Sequence, residues 1–249
     1  MIKLKTVLCC CALLLTPCAA MAGGSVLFDQ AHGQRLVIED TGDLHLSKLA
    51  DRITAAGASV TSSTAPLTED ALKSVSALVI SGAFQPLTRD ESAAVVRFVE
   101  RGGRLAVLLH IAPPLVGLLQ QFDLLCSSSV LHERVNIVDK DINFRVTDLT
   151  PDPLFEGISE FTVYGGWAVK PEGSAVSLAR TSKDSWIDLD KNNVFSPRDV
   201  TGSFAVAAGG TKGNGRFVVF GDDAIFQNHF LVGNNARLAD NLAAWLTSH

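Results

Sequence analysis

Cysteine is the first scarcity. The chain has five, and Cys9, Cys10, Cys11 and Cys18 all fall near its start, which leaves Cys126 alone in the remainder. A lone thiol excludes an internal disulfide and a cysteine metal cluster from that remainder. Positive charge is short as well. Lysine and arginine number 21 against 26 acids; without Lys3 and Lys5, 19 basic residues face 26 acidic ones, a net of −7. Nucleic acid and anionic membrane both require a basic face, so neither is an expected partner. Beyond the first two dozen residues no apolar run approaches the roughly 18 residues of a membrane span.

What stands at the start reads as a leader. Lys3 and Lys5 precede an apolar stretch from Thr6 to Leu15, followed by Ala20-Met21-Ala22. That order is a charged segment, an apolar core too short to cross a bilayer, and a small-x-small cleavage site, so residues 1–22 are expected to be a signal peptide cut after Ala22. Pro17 before Cys18 argues against lipidation, because a lipobox wants a small residue there. The product is expected in the periplasm or outside the cell, as one domain over residues 23–249.

The first half alternates strands and helices. Ser25–Phe28 is an apolar run, Leu44–Ala56 repeats Leu46, Leu49, Ala50, Ile53 and Ala56 at helical spacing, and Gly57 stops it. Ala58–Thr61 predicts a strand, and Thr68 the cap of a short helix. Ser76–Ser81 is a buried strand. Thr88-Arg-Asp-Glu91 has the form of a capping box for a helix burying Ala94, Val95, Phe98 and Val99, and Arg104–Leu109 is the next strand. Continuous apolar strands between helices predict an α/β fold, a doubly wound, flavodoxin-like parallel sheet with helices on both faces. No G-x-G-x-x-G follows the first strand, so a dinucleotide cofactor is not expected.

From about 127 to 204 the helical period fades. Val135–Val138, Phe161–Val163, Val176–Ala179 and Trp186–Leu189 suggest short strands, making the second half a β-rich insertion or extension. Ser203–Ala208 and Arg216–Phe220 predict a hairpin across Gly209–Gly215, and Asn234 or Asn235 the cap of a final helix.

Ligands in such a sheet bind beyond the carboxyl ends of the strands. The polar residues expected there are Asp29, Gln30, His32 and Gly33 after the first strand, Ser81 and Gly82 after the third, His110 after the fourth, and Asp222 and Asp223 after Val218–Phe220. Each has a plain alternative: Asp29 as a turn acceptor, His32 as a turn partner, His110 as a satisfied buried imidazole, Asp222 and Asp223 as loop caps. Carboxylate and imidazole suit a divalent ion, but Asp29, His32 and Asp222 form no local motif, so no metal is expected.

Other signals are set aside. Gly209-Gly-Thr-Lys-Gly-Asn-Gly215 lacks the phosphate-loop spacing and precedes a strand. Cys126 reads as a buried small hydrophobe. Tyr164-Gly-Gly-Trp167 and Ser185-Trp186 read as core aromatics, with sugar stacking as the alternative.

The runs FDQAHGQ (28–34), LVISGAFQPLTRDESAAVVRFVERGGRLAVLL (78–109) and GRFVVFGDDAIFQNHFLVGNNARLADNLAAWL (215–246) resemble exported uncharacterised members of the class I glutamine-amidotransferase-like superfamily. They are similar to auxiliary domains of gliding-motility-type ABC transporter systems. The resemblance covers most of 25–125 and 200–248 and implies the fold. Active amidotransferases of this superfamily place a cysteine on a glycine-flanked elbow after the strand matching Arg104–Leu109. Here the elbow reads Leu109-His110-Ile111-Ala112-Pro113, with no thiol or hydroxyl.

Two functions stay open. One is a non-catalytic accessory module of the cell envelope, holding a small polar ligand, a glycan or an envelope protein. The other is a metal-assisted or acid–base hydrolase using Asp29, His32, His110 and Asp222 or Asp223.

Overall fold

The computed structural model describes residues 24–248; the expected leader lies outside them. In chain order the elements are β1 (Ser25–Asp29), α1 (Ser47–Ala55), β2 (Ser59–Ser63), β3 (Ala77–Ser81), α2 (Arg89–Glu100), β4 (Arg104–Leu108), α3 (Val116–Gln120), β5 (Leu124–His132), β6 (Asn143–Val146), β7 (Asp148–Leu149), β8 (Phe161–Tyr164), β9 (Trp167–Pro171), β10 (Val176–Arg180), β11 (Ser185–Ile187), β12 (Val200–Gly202), β13 (Ala205–Lys212), β14 (Gly215–Phe220) and α4 (Gly233–Thr247).

The main sheet runs β2-β1-β3-β4-β14-β13-β10-β7. Its first five strands are parallel, and β14 is the fifth member of a flavodoxin-like order. The last three strands, β13, β10 and β7, are antiparallel. The parallel sheet therefore continues into a β-rich half. Strand alternation sorts its side chains into two cores. Val26, Phe28, Val79 and Leu108 pack with Leu49 and Ile53 of α1 and Leu238 and Leu242 of α4. Leu27, Leu78, Ile80 and Val107 pack with Val95, Phe98 and Val99 of α2 and with Leu118 of α3.

The middle of the chain divides three ways: β7 and β10 extend the main sheet, β12-β11-β5-β9 form a second sheet, and β6-β8 pair as a ribbon. The expected strand at Val135–Val138 is absent apart from a single bridge of Ile137 to Phe144. Its apolar side chains are exposed rather than packed. The neighbouring Asn143–Val146 pairs with β8 instead, burying Phe144 and Val146. The hairpin forms, but β13 runs on through Lys212 and the turn tightens to Gly213-Asn214.

Caps differ in detail. Thr88 and Glu91 form the expected capping box of α2. Thr68 Oγ1 accepts the Ala71 N–H, yet only turns follow, ending at Lys73 and Ser74. Neither Asn234 nor Asn235 caps α4, which starts at Gly233. Asn235 is buried and clasps Thr162, receiving its N–H at 2.8 Å and donating to its carbonyl at 3.0 Å.

Candidate functional site

The carboxyl ends of β1, β3, β4 and β14 share one edge, as expected, but the polar residues there split into two groups. The first is closed. His32 Nδ1 lies 2.7 Å from Asp29 Oδ2 and its Nε2 lies 3.3 Å from Glu91 Oε1. Asp29 also accepts from Gln34 Nε2 at 2.7 Å and the Ala31 N–H at 3.1 Å. Glu91 accepts from the N–H groups of Leu67 and Thr88, at 3.1 and 3.0 Å. Burial pulls the His32 imidazole down, but the Asp29 hydrogen bond and charge and the Glu91 charge outweigh it and hold it above its ordinary value. Burial acts to raise Glu91, yet the Thr88 and Leu67 bonds and the His32 charge hold its carboxyl down to about 2. Asp29, His32 and Glu91 are thus a buried charged clamp that ties the loop after β1 to the start of α2. Gln30 turns away and donates to Glu39. Gly33 takes φ 73°, where the chain turns back toward the clamp.

The second group is open. A cavity of about 450 Å³ is lined by His110, Asp222 and Asp223 together with Arg35, Phe84, Asn143, Tyr164, Gln227 and Phe230. His110 is not the buried imidazole that its place after an apolar strand suggested: its side chain is 40% exposed. Its Nδ1 lies 3.1 Å from Asp223 Oδ1, and because an ionised carboxylate only accepts, Nδ1 carries the proton and Nε2 is left for the pocket. The Asp223 hydrogen bond raises the imidazole against the effect of burial, and the charge of Asp223 adds to it. The Trp167 indole donates to the His110 carbonyl at 3.1 Å and fixes the elbow from behind.

Asp223 is buried. One oxygen binds His110 and the Gln227 amide, while Oδ2 has no partner among the described residues; neither has the hydroxyl of Ser81, also buried. Gly82 passes beneath at φ 62°, and a Cβ there would lie 3.1 Å from Asp223 Oδ2. Ser81 and Gly82 therefore floor the site without lining it. Asp222 accepts the N–H of Tyr164 at 2.6 Å and of Ala224 at 2.9 Å. Burial and the neighbouring Asp223 push its carboxyl up to about 8, against those two bonds. The approach is close: a Cβ on Gly221 would stand 2.0 Å from the Trp167 carbonyl oxygen.

The walls are aromatic. Tyr164 and Phe230 stack at 4.1 Å between centroids, Phe84 lies 5.3 Å from the His110 ring, and the Arg35 guanidinium sits 4.8 Å over Phe84. Tyr164 is thus a pocket residue and not core, whereas Trp186 is core, stacked on His132. The elbow presents His110 and no nucleophile. Cys126 lies in β5 against a different cavity, its thiol pushed up by burial. The cavity thus sets apolar aromatic faces beside the hydrogen-bonding groups of Asn143, Gln227 and His110.

Asp29, His32 and Asp222 do not assemble as metal ligands. Among the described residues the carboxylates able to share an ion are Asp188, Asp190 and Asp199, whose oxygens lie within 4.8 Å of one another. They stand in Asp188-Leu-Asp-Lys-Asn-Asn-Val-Phe-Ser-Pro-Arg-Asp199, with oxygen-bearing side chains at the first, third, fifth, sixth, ninth and twelfth places. That is the donor spacing of a calcium loop, with Asn193 at φ 58° where such loops carry glycine and Asp199 in place of the closing glutamate. The spacing was legible in the sequence and was not among the expected sites.

Comparison with known proteins fits this architecture. The structure described as "mmIFT52 N-terminal domain" superposes with TM-score 0.72 at 16% identity, over 90% of this chain and 98% of that one. ThuA-like proteins from Bacteroides uniformis ATCC 8492 (TM-score 0.52, 12% identity, 94% of each chain) and Parabacteroides merdae ATCC 43184 (0.55, 10%, 91% and 90%) share the fold, which is amidotransferase-like. No curated protein matches the chain. The family described as "Domain of unknown function (DUF4350)" matches residues 38–243, more than half of the sequence, and the chain belongs to that family.

Proposed function

We propose that this chain is an exported, non-catalytic binding module of the cell envelope, and that the sheet-edge pocket holds a short glycan or similar polyol. The observation that carries this reading is the pairing of the stacked Tyr164–Phe230 wall with His110, Asn143 and Gln227 in one cavity of about 450 Å³. Aromatic faces take the C–H faces of a sugar ring, while the amides and imidazole exchange hydrogen bonds with its hydroxyls. The elbow offers no thiol or hydroxyl, so the ligand is held and not acylated or cleaved through a covalent adduct. Service to a transport system, as the gliding-motility resemblance implies, is compatible with such a module.

Isothermal titration against a panel of short soluble oligosaccharides tests this. Binding by at least one that weakens in Phe230→Ala supports it; heats that are nil throughout, or unchanged in Phe230→Ala, refute it.

One observation favours a second reading. Asp223 orients His110 so that Nε2 can take a proton from a water or hydroxyl in the pocket, which suits acid–base hydrolysis. Turnover of a bound oligosaccharide that vanishes in His110→Gln, with binding retained, would establish it over the binding reading.

A further inference from the structure

A second cavity, of about 470 Å³, lies away from the sheet edge, between β5 and β9 of the smaller sheet and β10 and β13 of the main one. Leu125, Val169, Ile187 and Phe204 give it apolar walls, and the Cys126 thiol lies among them. One full cation, Arg180, belongs to the same lining. Its Nε and Nη2 reach the hydroxyl and carbonyl of Ser203, each at 3.2 Å, and it forms no ion pair among the described residues. The other cation at the cavity, Lys170, is 71% exposed and already paired with Glu172 at 2.9 Å. No acid lines the space.

The backbone is bent where Arg180 enters. The β10–β13 register shifts between Ser177 and Ala179 and again between Ala179 and Arg180. Consecutive Leu178 and Ala179 consequently pack into the same core, and Arg180 is re-aimed beside the cavity. A guanidinium without a carboxylate, in the lining of a largely apolar cavity of ligand size, matches a molecule with one anionic head and an apolar body.

We propose that this cavity binds a small amphiphilic carboxylate, its chain against Leu125, Val169, Ile187 and Phe204 and its head on Arg180. The site is independent of the sheet-edge pocket.

Octanoate is the probe, with 1-octanol as its uncharged counterpart, and the readout is the rate at which iodoacetamide alkylates Cys126, followed by peptide mapping. At about ten times its Kd, octanoate is expected to slow alkylation about tenfold, with octanol protecting several-fold less. Arg180→Gln is expected to abolish the difference between the two probes, and Arg180→Lys to keep part of it. A thermal melt checks that each variant is folded, and oligosaccharide binding at the sheet edge should be unchanged in both. Equal protection by octanoate and octanol, no protection by either, or full octanoate protection in folded Arg180→Gln would overturn the proposal.

Discussion

Asp223 holds His110 with one carboxylate oxygen, at 3.1 Å from Nδ1, and leaves the other buried without a partner. The two residues come from loops more than a hundred positions apart, joined because β14 runs parallel beside β4. The backbone locks the arrangement, since the Asp223 N–H donates to the Leu109 carbonyl at 2.8 Å. This pair sets the tautomer of the pocket's imidazole and strengthens its hold on a further proton.

The His110 titration reports that pair directly. Its midpoint, followed by NMR of the ring protons, should lie above the ordinary 6.5 and fall in Asp223→Asn, because the hydrogen bond and negative charge that raise it are removed. An unchanged midpoint would refute the pairing.

The buried clamp should be costly to break. His32→Ala leaves Asp29 and Glu91 buried without their cation, and loss of one member of a buried pair costs about 3–5 kcal/mol. Denaturant unfolding measures it; a loss near zero would mean that the clamp is solvated.

Stability should depend on pH in a defined way. His32 is raised above 6.5, so its contribution is complete below that value and is lost as pH rises through the folded pKa. Glu91 is lowered from 4.5 to about 2, so its contribution is present above 4.5 and is lost as pH falls toward 2. Asp222 keeps its proton in the fold up to about 8 but loses it near 3.8 when unfolded, so stability falls across that interval as pH rises. Together these place the optimum on the mildly acidic side. Unfolding free energies measured across pH should decline from there toward about 8, and less steeply in Asp222→Asn. A rise over that range would contradict the assignment.

Gly221 admits no side chain. A Cβ meets the Trp167 carbonyl oxygen at 2.0 Å, so Gly221→Ala must push the turn after β14 away from the start of β9 and should cost about 1–3 kcal/mol. A melting temperature equal to wild type would show that the contact yields freely.

Much of this was written plainly along the chain. The apolar strands Ala77–Ser81 and Arg104–Leu108, with the Thr88–Glu91 capping box between them, gave the layered fold. The edge residues His110, Asp222 and Asp223 followed from the rule that strand ends carry the site. That rule could not separate them from Asp29 and His32, because closure of the clamp depends on Glu91, a residue visible only as a helix cap. Tyr164 was named with sugar stacking as the alternative to core, and Phe230 was not named at all. They approach from β8 and from the loop before α4, and nothing local in either segment says which aromatic faces a cavity and which a core.

Saturation-transfer NMR on oligosaccharide mixtures, paired with intact mass of the protein afterwards, tests the central claim most directly. The account predicts transfer to sugar ring protons, attenuated in Phe230→Ala by the roughly 0.5–1.5 kcal/mol of a lost aromatic contact, with the protein mass unchanged. A mass increase matching a covalent adduct, or no transfer from any sugar, would contradict it.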